Sequence, residues 1–265
     1  MVRTNNEDQF LTARFGRTMD VLSTSLPPGT VPLRSSASGY ALLVADGMGG
    51  EAAGEVASST AVGALVELAL ETPDWIFLSE EEQAPEILRR MNHRFLRVKE
   101  KLEERARREP RLRGMGTTMT VAVKMGRDLV VAHVGDSRAY LFRGGSLQQL
   151  TRDDTFTQAL IDSGEIGPEE ARKHPFRHIL TNVLGTGPGQ IEVECLHLHL
   201  EKGDQVLLCT DGLNEMVPDR AIEQVLAQTG SAADACRGLV EQALAAGGRD
   251  NVTVVVGRYT GATAP

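Results

Sequence analysis

Cysteine is scarce in this sequence, basic residues do not predominate, and long apolar runs are missing; each shortage removes a class of protein. The 265 residues include three cysteines, Cys195, Cys209 and Cys236. An odd, widely spaced set in apolar surroundings suits small core residues in a reducing compartment better than a disulfide framework. None has an arginine six positions on, where Glu201, Glu215 and Gln242 stand, so the Cys-x5-Arg phosphate loop of a cysteine-dependent enzyme is missing. The net charge is -8 and no Lys/Arg block is free of acidic neighbours. This argues against nucleic acid, whose phosphates require a basic patch. No apolar stretch approaches the ~20 residues of a bilayer span, and the N-terminus lacks the basic-then-apolar layout of a signal peptide. A soluble, cytoplasmic, monomeric chain with no membrane contact is expected.

What is present is enough apolar residue, 41% of the chain, to bury the core of one domain. The organising stretch is 41–50, Ala-Leu-Leu-Val-Ala-Asp-Gly-Met-Gly-Gly, where an apolar run stops at Asp46 and opens into glycine. The run is too short for an ordinary helix, and its glycines let the backbone turn and approach a bound group closely. The pattern recurs where 205–210 runs into Asp211-Gly212 and 129–135 into Asp136. Three apolar strands end at an aspartate, and Asp250 adjoins a fourth, expected over 252–256.

Around these strands, residues 1–10 show no strand pattern and predict a solvated terminus, and 17–39, with Pro27, Pro28, Gly29 and Pro32, predict a loop. Ala53, Val56, Ala57, Ala61, Ala64, Leu65 and Leu68 recur at helical spacing, as do Leu88, Met91, Phe95, Val98 and Leu102 within a second helix over 85–109. Glu103 with Arg107 and Glu104 with Arg108 mark its solvated face. Residues 117–142 predict antiparallel hairpins, and 151–190 an excursion from the sheet with short helices. Gly185 to Gly189 has no following helix and so is no nucleotide loop. His197 and His199 alternate with leucines on the strand 191–200; no third metal ligand is apparent, and a solvent-facing polar edge is expected. Two helices follow, one with Ile222, Val225 and Leu226 on its apolar face and the other with Ala232, Ala235, Cys236, Leu239, Val240 and Ala243. Without regular βαβ alternation, the order implies an α+β fold, helices packed on largely antiparallel sheets.

If the strand ends converge, Asp46, Asp211, Asp250 and Asp136 crowd one edge of the core. Two charges ~4 Å apart repel by roughly 4 kcal/mol at an effective dielectric near 20, so the group needs cations or protons. Metal ions, or ion pairs with Arg138 and Arg249, would serve. Oxygen donors without adjacent His or Cys suit Mg²⁺ or Mn²⁺. Two such ions ~3.5–4 Å apart can hold and activate a bridging water for attack on phosphorus. Arg3 adds a planar fork for two phosphate oxygens.

The motifs Arg3-x-x-Asn6-Glu7-Asp8, Val44 to Gly50 followed by Ala53-Gly54-Glu55, Gly114 to Thr118, and Val134 to Tyr140 stand in one order with Leu150 to Asp153, His174-Pro175, Leu184-Gly185, Thr210 to Leu213, and Arg249 to Thr253. Together they resemble the PP2C-type (PPM) metal-dependent protein serine/threonine phosphatases, in their prokaryotic single-domain form, over nearly the whole chain. The resemblance implies a single domain over 1–265, a four-layer α-β-β-α sandwich with a flap at about 151–190 bordering the substrate groove. It implies two Mg²⁺ or Mn²⁺ ions: Asp46 bridging them, the Gly47 carbonyl on one, Asp211 and Asp250 on the other. Asp136 with Asp211 would hold a third. Glu7 and Asp8 would orient metal-bound waters, and Arg3 would grip the substrate phosphate. Partners would be phosphorylated proteins made by a Ser/Thr kinase. Alternatives are another phosphoester substrate or a phosphoprotein-binding pseudophosphatase. Met48 replaces a histidine proposed as general acid in many eukaryotic members, which leaves protonation of the leaving group to metal-bound water or solvent. Asp154 and His178 depart from the usual flap residues, His and Asn.

Overall fold

The computed structural model describes residues 5–23, 25, 30, 34–49, 53–71, 80–185 and 189–261. A long hairpin opens the chain: β1 (Asp8–Asp20) pairs antiparallel with β2 (Arg34–Met48), in a register that sets Asp8 opposite Asp46. β2 also pairs with β4 (Met119–Met125) and, at its end, with the two-residue β3 (Gly116–Thr117). β5 (Asp128–Val134) and the edge strand β9 (Glu194–His199) extend this sheet past β4, and β8 (Leu184–Gly185) flanks β3. The second sheet runs β11 (Val254–Arg258), β10 (Gln205–Cys209), β6 (Arg138–Arg143), β7 (Ser146–Gln149). Gly144 and Gly145 both take positive φ, 60° and 89°, as the tight turn between β6 and β7 requires.

Helices α1 (Ala53–Glu71) and α2 (Glu80–Arg108) cover the first sheet, and α6 (Asp219–Gln228) and α7 (Ala232–Ala245) the second. The inner strands β4, β5, β6 and β10 are therefore largely buried on both faces, which is why they are almost continuously apolar. β5 shows the division: Val130, Ala132 and Val134 meet the helices, while Leu129 and Val131 face the other sheet. The inter-sheet layer also takes Val44, Ala122, Ala139, Leu141, Val206, Leu208 and Val255. The expected α+β sandwich is the observed fold.

Several local expectations change. β1 begins at Asp8 and β2 at Arg34, inside stretches expected to be terminus and loop. β1 pairs only with β2, and its Thr12 and Arg14 are exposed, so its apolar signal is diluted. Prolines 27, 28 and 32 fall outside the described residues. Within 151–185, α3 (Phe156–Asp162) and α4 (Pro168–Ala171) are the short helices foreseen, but β8 returns to the first sheet and Thr155 bridges Leu180. The excursion is thus stitched back at two places. α1 approaches a membrane span in length and composition, contrary to expectation, yet Ala53, Ala57, Ala61, Ala64 and Leu65 are buried in the core. All three thiols are free; burial pushes Cys209 up to about 12 and Cys195 to about 11.

Candidate metal centre

The acids gather where the two sheets meet. Asp46 stands two residues before the end of β2, Asp136 just after β5, Asp211 at the start of the short helix α5 (Asp211–Asn214), and Asp250 in the lead-in to β11. Asp8, the first residue of β1, is buried among them. The hairpin register alone brings Asp8 and Asp46 together.

Threonines and an asparagine hold this arrangement. The Asp46 amide donates to Thr118 Oγ1 at 3.0 Å, the Thr118 amide returns to the Asp46 carbonyl at 2.9 Å, and Thr118 Oγ1 meets Ser137 Oγ at 2.7 Å. Thr210 Oγ1 donates to Asp8 Oδ2 at 2.8 Å and accepts from the Thr253 amide at 3.0 Å. The bond to Asp8 ties the first sheet to the second, and the bond from Thr253 joins the ends of β10 and β11. Asn251 accepts from the Glu7 amide (3.0 Å) and donates to the Asn5 carbonyl (3.0 Å), while its own amide donates to Asp250 Oδ1 at 2.7 Å.

The glycines after Asp46 and Asp211 have a steric cause. A Cβ on Gly47 would lie 2.1 Å from the Gly54 carbonyl oxygen, and one on Gly212 1.9 Å from that of Asn251. The close approach is to the protein's own backbone. A Cβ on Gly54 would lie 2.7 Å from Glu7 Cδ, so the Glu7 carboxylate rests against the start of α1.

Electrostatically the group is frustrated. Burial, then the charges of Asp8, Asp211, Asp136 and Asp250, push Asp46 well above the usual carboxylate range. Burial and Asp250, Asp8 and Glu215 push Asp211 up to about 6, and burial with Asp211 and Asp153 raises Asp136 strongly. Asp8 is raised by burial against the opposing effect of its Thr253 and Thr210 hydrogen bonds. Asp46 thus faces the charges of both Asp8 and Asp211. Asp8 Oδ1 and Asp211 Oδ1 are buried without a hydrogen-bond partner. Orphaned carboxylate oxygens in a repelling cluster are what hard cations neutralise, so the residues fit a metal.

The competing ion-pair explanation fails for Arg138. Its guanidinium is committed to Asp153 (Nε to Oδ1 2.8 Å, Nη2 to Oδ2 2.6 Å) and to Tyr140 Oη at 3.0 Å. Arg249 is exposed and makes no ion pair among the described residues. Arg3 and Gly50 lie outside the described residues. Met48 is 40% exposed at the end of β2. The one buried imidazole, His133, is held by Thr120 Oγ1 (2.8 Å) and the Gly135 carbonyl (3.0 Å), and burial lowers its pKa.

One tie to the 151–185 excursion was not foreseen. Asp154 Oδ2 accepts from the Gly135 amide at 2.9 Å and from Asn182 Nδ2 at 2.8 Å, and the Asp154 amide donates to the Gly135 carbonyl at 2.7 Å. It clamps the loop carrying Asp136 to the base of the excursion.

Two sheets lie between helix pairs with acids at their seam, and the family profile described as Protein phosphatase 2C matches residues 33–246 of this chain. The chain belongs to that family. Among its relatives, the serine/threonine protein phosphatase PstP of Mycobacterium tuberculosis is 41% identical over 215 residues, which are 81% of this chain and 39% of PstP. The chain therefore spans about two fifths of that relative's length. Protein phosphatase PhpP of Streptococcus pneumoniae is 32% identical over 256 residues, 96% of this chain and 92% of PhpP. The crystal structure of the PstP catalytic domain in complex with two manganese ions superimposes with a TM-score of 0.70 at 35% identity, covering 94% of this chain and 98% of that one.

Proposed function

We propose that the chain hydrolyses phosphoserine and phosphothreonine in proteins with the help of two Mg²⁺ or Mn²⁺ ions. The observation that carries this is the set of converging, mutually repelling carboxylates with two orphaned buried oxygens, in a chain of the Protein phosphatase 2C family. Bound ions would activate a water and offset charge on the phosphoryl oxygens during in-line displacement.

The chain's own residues have separable tasks. Asp46, the Gly47 carbonyl, Asp211 and Asp250 would hold the two ions, with Asp136 and Asp211 a third. Asp46 would be the ligand shared between them, in keeping with its place among the charges of Asp8, Asp211, Asp136 and Asp250. Thr118 fixes the backbone of Asp46, and Thr210 fixes Asp8. Glu7 and Asp8 would orient the attacking water, and Arg3 would hold the substrate phosphate. As the water oxygen bonds to phosphorus, the bond from phosphorus to the serine or threonine oxygen breaks, and that oxygen takes a proton from solvent. Met48 offers none, and His133 is occupied elsewhere. We further propose a single domain whose flap, about 151–190, borders the substrate groove, in a monomeric cytoplasmic enzyme opposing a Ser/Thr kinase.

The test is a phosphothreonine peptide assayed with Mn²⁺ and then with chelator. Turnover that chelator abolishes, and that Asp211→Ala nearly removes, is expected. Turnover surviving chelation would refute the metal mechanism, and none with any divalent metal would leave a phosphoprotein-binding module.

A further inference from the structure

A second cluster lies at the opposite end of β5 from Asp136, about 20 Å away or more at ~3.4 Å per residue. There the pairing of β5 with β9 sets Asp128 opposite His199 and Val130 opposite His197. Side chains two apart on a strand share a face, so both imidazoles stand beside the Asp128 carboxylate. They converge on one atom: His197 Nε2 is 2.6 Å and His199 Nδ1 3.0 Å from Asp128 Oδ1, with the rings 5.1 Å apart. The three donor atoms lie within 4.8 Å of one another. The third ligand that the alternation of His197 and His199 lacked is supplied from 69 residues away in sequence.

We infer that Asp128, His197 and His199 form a metal site for a borderline transition-metal dication of the Zn²⁺ class, separate from the catalytic aspartates. Two imidazoles and a carboxylate are a common three-ligand set for Zn²⁺, with the fourth position open to solvent. Donors at ~2.0–2.1 Å from a tetrahedral ion lie roughly 3.3 Å apart. His199, 67% accessible, has room to rotate to that spacing. The nearby positive charge is already engaged: Arg143 pairs with Asp204 at 2.6 Å and Glu201 at 3.0 Å. Donor chemistry separates the two centres, since oxygen-only aspartates favour Mg²⁺ or Mn²⁺ while imidazole favours Zn²⁺ and Cu²⁺. A bound ion would clip the edge strand β9 to β5.

The test uses the full chain saturated with Mg²⁺, which is silent in electron paramagnetic resonance and fills the oxygen site. One equivalent of Cu²⁺ then serves as the probe. Nitrogen hyperfine coupling from two imidazoles is expected, displaced by Zn²⁺, reduced to that of one imidazole or less in His197→Ala and in His199→Ala, and lost in the double variant His197→Ala with His199→Ala, while circular dichroism and Mg²⁺-dependent phosphatase activity are retained. An absence of nitrogen coupling in the native chain, or its persistence in the double variant, would overturn the assignment. Because the signal does not depend on turnover, an inactive protein would leave this test intact.

Discussion

Replacing Asp211 with asparagine should make the metal-free protein more stable while ruining its response to metal. Burial and the neighbouring carboxylates lift Asp211 from 3.8 to about 6. A carboxylate with a raised folded-state pKa contributes stability at acid pH and loses it as pH rises through the folded value. Here the loss runs from about pH 4 to about pH 6. At ~1.4 kcal/mol per unit, the ionised Asp211 costs the metal-free fold on the order of 3 kcal/mol at neutral pH. Asparagine keeps the shape without the charge. At pH 7.5 in chelator, Asp211→Asn should unfold at a midpoint higher by roughly 5 °C, and the gap should close as pH falls towards 4. Mn²⁺ should reverse the order, because an ion at 1,000 times its Kd stabilises the native chain by about 4.1 kcal/mol, more than the ionised Asp211 costs it, and should find no such site in the variant. A variant less stable than the native chain in chelator, or one that gains equally from Mn²⁺, would refute the view that repulsion among these acids is what metal relieves.

Other perturbations read separate parts of the site. Gly47→Ala places a Cβ 2.1 Å from the Gly54 carbonyl oxygen and should destabilise by about 1–3 kcal/mol, with weakened metal binding by calorimetry. Asp154→Ala removes the acceptor of the Gly135 amide and of Asn182; a loss of about 1–3 kcal/mol in urea unfolding and faster proteolysis within 151–185 are expected. Asp153→Ala strands the Arg138 guanidinium, only 21% exposed, and should cost about 3–5 kcal/mol, while the double variant Asp153→Leu with Arg138→Met should recover much of it.

Asp46, Asp136 and Asp211 are legible in the sequence because each follows a strand apolar on both faces, and a carboxylate there breaks the pattern. Asp250 is recognisable by its neighbours in the chain. The supporting contacts are not legible. Asp8 reaches Asp46 only through a hairpin whose first strand alternates weakly, and Thr118, Thr210 and Asn251 are ordinary residue types whose bonds join segments 72, 202 and 244 positions apart. The glycines after Asp46 and Asp211 were visible, but their reason, the backbone of Gly54 and Asn251 lying against them, depends on packing across the fold. The pairing of Asp128 with two histidines is likewise a matter of strand register alone.

The apolar layer between the sheets has a further consequence. Asp8 and Asp46 belong to β1 and β2 of one sheet, Asp211 follows β10 and Asp250 precedes β11 of the other, and side chains such as Val44, Ala139 and Leu208 fill the layer between the two sheets. That layer acts as a spacer gauge for the acids: its thickness sets how far the strand ends of one sheet stand from those of the other. Close-packed interiors transmit a change of one methylene, so an enlarged side chain at Ala139 would retune metal preference without altering a single acid. Substitutions in that apolar layer can therefore alter the geometry of the acids while leaving every acid in place.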